Sequence, residues 1–169
     1  DAEPWRERLH EALLAENTPH AVRRSSAQAL GRLCRPDDDD DDSPDAHYSE
    51  ALRRVASSDR DQQTRHLALF ALGLIGGSVN RAWLEQRLTA PKSVLYERGW
   101  ICLGVGCGMA RRGETTSESQ AALLLQVART TRHPNALGGV VVGHGFARVP
   151  DATQPLLEPL QVNRQREPA

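Results

Sequence analysis

Lysine is nearly absent: Lys92 stands alone beside 20 arginines. A Walker loop needs a lysine behind a glycine-rich turn, and Lys92 follows none, so that phosphate chemistry is excluded. The arginine excess reads first as a coding bias toward GC-rich codons. Aromatic residues make up only 4% of the 169 residues, which leaves Leu, Ala, Val and Ile to build the core. Three cysteines, Cys34, Cys102 and Cys107, cannot form a paired disulfide framework and show no metal-ligand spacing. A reducing, cytoplasmic setting is the favoured expectation, with a processed secreted or periplasmic protein left open. The longest uncharged runs, about a dozen residues, are too short to cross a bilayer, so no membrane partner is expected. The start, Asp1-Ala2-Glu3-Pro4, has neither an initiator Met nor the basic and apolar blocks of a signal peptide. The chain is therefore expected to be processed or cut from a longer protein.

What is present is unevenly distributed. The net charge of −1 hides an acidic stretch, Asp37 to Asp42 plus Asp45, that supplies seven of the 22 acids and no base. The rest of the chain carries 21 bases against 15 acids. A mildly basic body with one acidic insert is the result. Six consecutive aspartates repel one another, so residues 36–45 are expected to form a solvated, disordered loop. The run lacks the alternating ligands and turn glycine of an EF-hand, which argues against calcium.

Internal repetition organises the remainder. Four segments align without gaps: Val22–Gly31, Thr64–Gly73, Glu97–Gly106 and Ala136–Gly145. Their last glycines are 42, 33 and 39 residues apart, and the acidic insert accounts for the longest interval. An arginine recurs in one column at Arg23, Arg65 and Arg98, and small residues recur at Ala29, Ala71, Gly104 and Gly143. Between these segments lie amphipathic stretches. Trp5 to Asn17 places apolar residues at 5, 9, 12 and 13; Tyr48, Leu52 and Val55 mark a second; Val79, Trp83, Leu84 and Leu88 a third. Ser117 and Gln120 form a capping box ahead of Leu123, Leu124 and Val127. Thr153 to Val162, interrupted by Pro155 and Pro159, is a partial fifth. Each unit is thus an outer, charged helix followed by an inner, more apolar one, and stacked pairs of this kind make an α-solenoid. The glycine-rich stretches Trp100–Gly108 and Leu137–Gly145 allow a competing α/β reading with buried strands. The aligned Ser-Ser-Ala-Gln-Ala-Leu-Gly of the first unit is poor strand material, and the helical reading is preferred.

The pattern resembles HEAT repeats of the short bacterial kind over residues 5–148, most closely in Val22-Arg23 through Ala29-Leu30-Gly31 and Thr64-Arg65 through Ala71-Leu72-Gly73. The resemblance implies an all-α, right-handed, armadillo-like solenoid of four to five stacked antiparallel helix pairs. It also implies a single domain over 1–169 with repeats at 5–34, 46–76, 79–112 and 117–148 and a tail at 153–169. In that family the recurrent arginine bonds an acid at the turn of a neighbouring repeat, a role open here to Asp59 or Asp61 for Arg65. Pro91-Lys92-Ser93 leaves Arg98 without such an acid. The usual role of the family, holding another protein, makes a non-catalytic scaffold inside a larger protein the expected function. A self-associating module is the alternative, with nucleic-acid binding behind it.

The inner segments supply the candidate surface. Leu67–Val79, Gly99–Ala110 and Pro134–Ala147 carry no formal charge. The alignment places Arg24, Gln28 and Arg32 toward the concave side in the first unit, then His66, Phe70 and Leu74, then Leu103 and Cys107, then Val142 and Phe146. This stripe is either an open binding face for a protein or peptide, or a face covered by the tail, by a second copy or by the rest of a parent chain. Gly104/Gly108 and Gly139/Gly143, each four apart, suit tight helix packing.

No catalytic constellation emerges. His10-Glu11 is a single copy of a pair that HEAT-like di-iron hydroxylases repeat, so no metal is expected. His66 and His144 lack partners at ligand spacing, with His144 expected to be a satisfied core histidine. Glu85 and Glu97 are isolated acids, no Ser or Cys sits in a nucleophile elbow, and no cofactor is implied. The arginines are mixed with acids and form no single basic stripe, against a nucleic-acid footprint.

Overall fold

The computed structural model describes residues 3–37, 43–90, 96–149 and 156–157. Among them are eight α-helices and no strand: α1 (Glu3–Leu14), α2 (His20–Leu33), α3 (Ala46–Ser58), α4 (Gln62–Ile75), α5 (Ser78–Thr89), α6 (Arg98–Arg112), α7 (Glu118–Thr130) and α8 (Pro134–Ala147). The glycine-rich segments are helical, as preferred over strands. All four amphipathic stretches and all four aligned segments become helices, alternating along the chain. Packing divides the chain into two compact units, Asp1–Leu84 and Glu85–Ala169. The expected tail helix lies outside the described residues except for Leu156 and Leu157, as do Asp38–Asp42 and Pro91–Leu95.

Local chemistry sets the helix ends. The Asp61 carboxylate caps α4 by accepting from the Thr64 amide, and the Ser117/Gln120 capping box opens α7 as expected from sequence. Each satisfies amides that the first helical turn leaves without a partner. Gly113, at φ 67°, ends α6 in the left-handed region that an unbranched backbone tolerates best. No helix among the described residues is long and apolar enough to cross a membrane.

In the first unit α1 packs on α2, α3 on α4, and α2 on α4. Leu13, Leu30, Tyr48, Leu52, Leu69, Leu72 and Ile75 fill the space between them and are all essentially inaccessible. Helices α2 and α4 meet where the terminal glycine of one aligned segment faces the small residue of the next: a Cβ on Gly31 would lie 2.8 Å from the Ala71 Cα. Trp5 departs from its expected place in the α1 stripe. It is 62% exposed and carries the Arg8 guanidinium 5.5 Å from its ring centroid. Eight residues correspond to about 80° of rotation about a helix, so Trp5 sits at the edge of the face that buries Leu13.

The acidic insert also differs from expectation, because both of its ends are fixed. Asp37 is 2% exposed, and its carboxylate accepts from Arg53 Nη1 at 2.8 Å. Its backbone is tied to the α4–α5 turn: its amide donates to the Gly76 carbonyl and its own carbonyl accepts from the Val79 amide. Gly76 and Gly77 have φ of 72° and 88° there, and the Asp37 backbone occupies the space a Cβ on Gly77 would need. Asp45 is fully buried against Arg6. Repulsion within an aspartate run favours solvation, but a half-buried guanidinium paired with a buried carboxylate at each end outweighs it locally.

In the second unit α7 packs on α8, and α6 meets α8 backbone to backbone. A Cβ on Gly139 would stand 2.6 Å from the Gly99 carbonyl oxygen, and one on Gly99 would stand 2.7 Å from that of Ala136. Further along, a Cβ on Gly106 would meet the Gly143 backbone, and one on Gly143 would meet the backbone of Cys102 and Leu103. The Gly139/Gly143 spacing does serve helix packing. On α6, Gly139 faces the Gly99 backbone and Gly143 faces that of Cys102 and Leu103, one turn further along.

Candidate functional site

The residues expected to line a partner-binding face take different environments. In the first unit His66 and Phe70 on α4 are half-buried, while Leu74 is buried at 8% exposure. Leu74 therefore belongs to the core and not to a groove wall, because the last turn of α4 enters the packed α4–α5 turn. In the second unit Leu103 and Cys107 on α6 are half-buried, and Val142 and Phe146 on α8 are 48% and 47% exposed. The close approach of α6 and α8 puts these four on one helix pair. His144, two residues from either exposed side chain, is buried; its Nδ1 lies 2.6 Å from the Val140 carbonyl, while Nε2 has no hydrogen-bond partner among the described residues. It is a core histidine satisfied on one side.

Two of the recurrent arginines, Arg23 and Arg65, bind the turn between α3 and α4, joined there by Arg24. Arg23 reaches across from α2 to the Asp59 carboxylate and donates from Nε to the Leu13 carbonyl at 3.1 Å. Arg24 grips Asp61 with two bonds of 2.8 and 2.7 Å. Arg65 takes the Asp59 backbone carbonyl at 2.7 Å. The acids of this turn thus serve the arginines of α2, because α2 lies against α4 and delivers both guanidinium groups there. Arg98 donates to Thr130 Oγ1 at 3.1 Å. Arg87 Nη2 donates to Glu97 at 2.7 Å.

Asp61 carries a pH dependence. Arg24 first, and the Thr64 hydroxyl and amide next, hold its carboxyl well below the ordinary 3.8. A carboxyl depressed by folding contributes stability above its unfolded pKa and loses it as pH falls. Asp61→Asn is expected to lower the melting temperature at pH 7, by a margin that begins to narrow as pH falls below about 4 and is reduced but not abolished at pH 2.5. Circular dichroism melts at pH 7, 4 and 2.5 check this; an equal gap at every pH would exclude the linkage.

The thiols are unsuited to nucleophilic work. Burial, reinforced by Asp45, pushes Cys34 up to about 12, and burial pushes Cys102 up to about 12. The thiolate is the reactive form. A cleft of about 620 Å³ lies beside the α1–α2 connection and the end of α3, with His20, Arg54 and Arg60 opposite Glu16 and the Arg23–Asp59 pair. Its mixed charge selects no ligand class.

A second cluster was not singled out from sequence. Glu7 and His10, one turn apart on α1, meet His47 at the start of α3, and one ligand atom from each lies within 4.8 Å of the others. His47 Nε2 is 3.5 Å from Glu7 Oε1, and His10 Nδ1 is 3.9 Å from Glu7 Oε2. Beneath them the buried Tyr48 donates its hydroxyl to Glu7 Oε1 at 2.8 Å, with Glu3 Oε1 3.0 Å away. That hydroxyl, and then His47, lower the Glu7 pKa, while burial and the two acceptors raise that of Tyr48. The adjacent His10-Glu11 pair drew attention, yet i, i+3 spacing is what puts two side chains on one helix face. The legible signal was Glu7-x-x-His10; its meeting with His47, 37 residues later, was not.

No protein-family model matches the chain, and no curated protein or solved structure is significantly similar to it. What the fold defines is an all-α protein, with eight helices among the described residues.

Proposed function

We propose that this chain is a non-catalytic protein–protein interaction scaffold, a HEAT-like α-solenoid segment of a larger protein, which holds a protein or peptide partner against its inner helices. One observation carries the reading: α8, a helix with no formal charge along its length, leaves Val142 and Phe146 about half exposed, and Leu103 and Cys107 on α6, against which it packs, are half-buried. Apolar side chains grouped on one face gain free energy when a partner removes them from water. The arginines offer less to nucleic acid than their number suggests. Arg6, Arg23, Arg24, Arg53, Arg87 and Arg112 are each paired with a carboxylate, and a guanidinium already neutralised releases few counterions on meeting phosphate.

The test is site-specific photo-crosslinking in the native host. A photoreactive residue at 142 or 146 is expected to yield a discrete adduct, which Phe146→Asp removes from position 142, while the same residue at the exposed Gln126 of α7 yields none. An adduct of twice the chain mass identifies self-association. Equal or absent crosslinking at 126, 142 and 146 would overturn the scaffold reading. Both apolar positions are surface sites, so the Asp variant should change stability by no more than about 0.5 kcal/mol.

A further inference from the structure

We propose that Glu7, His10 and His47 form a binding site for a divalent transition-metal ion of the zinc class, a site that clasps α1 to α3. Two imidazole nitrogens and one carboxylate oxygen are the donor set that borderline ions such as Zn²⁺, Co²⁺ and Ni²⁺ select, whereas Ca²⁺ and Mg²⁺ require oxygen. The geometry is close to what an ion needs. Ligand atoms about 2.0–2.1 Å from a tetrahedral metal stand roughly 3.3 Å from one another. Glu7 already lies 3.5 Å from His47 Nε2 and 3.9 Å from His10 Nδ1. The widest separation, within 4.8 Å, closes by side-chain rotation, since Glu7 and His47 are exposed and His10 is half-buried.

The site is supported from below. Tyr48 is fully buried, and its hydroxyl donates to Glu7 at 2.8 Å. Its ring lies 3.8 Å from the His47 ring centroid and 5.4 Å from that of His10. One anchored residue therefore orients the carboxylate and contacts both imidazoles, the arrangement by which outer groups tune metal sites. The neighbouring cation, Arg6, is engaged by Asp45 and Glu3, so its charge is offset locally. Three protein ligands leave a position for water. Bridging two helices, the ion would stabilise the folded chain by mass action.

Titration calorimetry of the full chain with ZnCl₂ is expected to give one site, and Co²⁺ a visible absorption band of a low-symmetry complex. His47→Ala, His10→Ala and Glu7→Gln should each weaken Zn²⁺ binding about tenfold or more, and Tyr48→Phe about tenfold through loss of orientation. His20→Ala and His133→Ala should leave it unchanged. A measurement on the unaltered protein guards against misfolded variants: Zn²⁺ should protect His10 and His47, but not His20, from carbethoxylation read by mass spectrometry. Equal modification of all three histidines with and without Zn²⁺, or undiminished affinity in His47→Ala, would overturn the site.

Discussion

Gly143→Leu is expected to disrupt the second unit, with a loss of about 3 kcal/mol or more. The α6–α8 contact has no side chains between the two backbones at this point. A Cβ on Gly143 would stand 2.8 Å from the Leu103 amide nitrogen and closer still to the Cys102 carbonyl. Backbone atoms cannot swing aside as a side chain does, so the helices must separate and the interlocked contacts at Gly99, Gly106 and Gly139 loosen together. Even Gly143→Ala should destabilise, although alanine favours a helix over glycine by about 1 kcal/mol. Gly138→Ala supplies the contrast on the same helix. Nothing lies within 4 Å of a Cβ there, so only propensity acts, and the variant should gain up to about 1 kcal/mol. Urea unfolding of both alanine variants reads the opposite signs; shifts of the same sign would mean that α6 and α8 do not pack this closely in solution.

Asp45→Ala is expected to cost about 3–5 kcal/mol, nearly as much as a small domain can lose. The carboxylate is fully buried and accepts from Arg6 Nη1 through both oxygens at 2.8 Å and from the Arg35 amide at 2.7 Å. Its removal strands the Arg6 guanidinium, whose side chain is 13% exposed and whose Nε has no hydrogen-bond partner among the described residues. It also frees the chain where it enters α3. The double variant Arg6→Met/Asp45→Leu should recover part of the loss, because an apolar pair of similar volume leaves no uncompensated charge. Thermal melts of the two single variants and the double variant measure the coupling. Strict additivity would show that the pair does not interact.

The helices were legible because each carries its own instructions: a 3.6-residue apolar rhythm, a capping box at Ser117, a proline opening α8. Repetition of Val22–Gly31 in Thr64–Gly73 marked the inner helices for the same reason. The acidic insert misled, since composition describes the average solvation of a run while burial acts on single residues such as Asp37 and Asp45. Leu74 misled too, because its column in the alignment ignores the turn that follows it. The Glu7–His10–His47 cluster was out of reach, as one of its three members comes from another helix.

The sequence by itself determined that the chain is all helical, where its helices lie, and which helix faces are apolar, since these follow from local propensity and spacing. The tertiary structure alone decided which arginine meets which aspartate, which glycines stand between backbones, and that Glu7, His10 and His47 share one corner. Those are relations between residues tens of positions apart, set by how helices cross, and no local pattern encodes them.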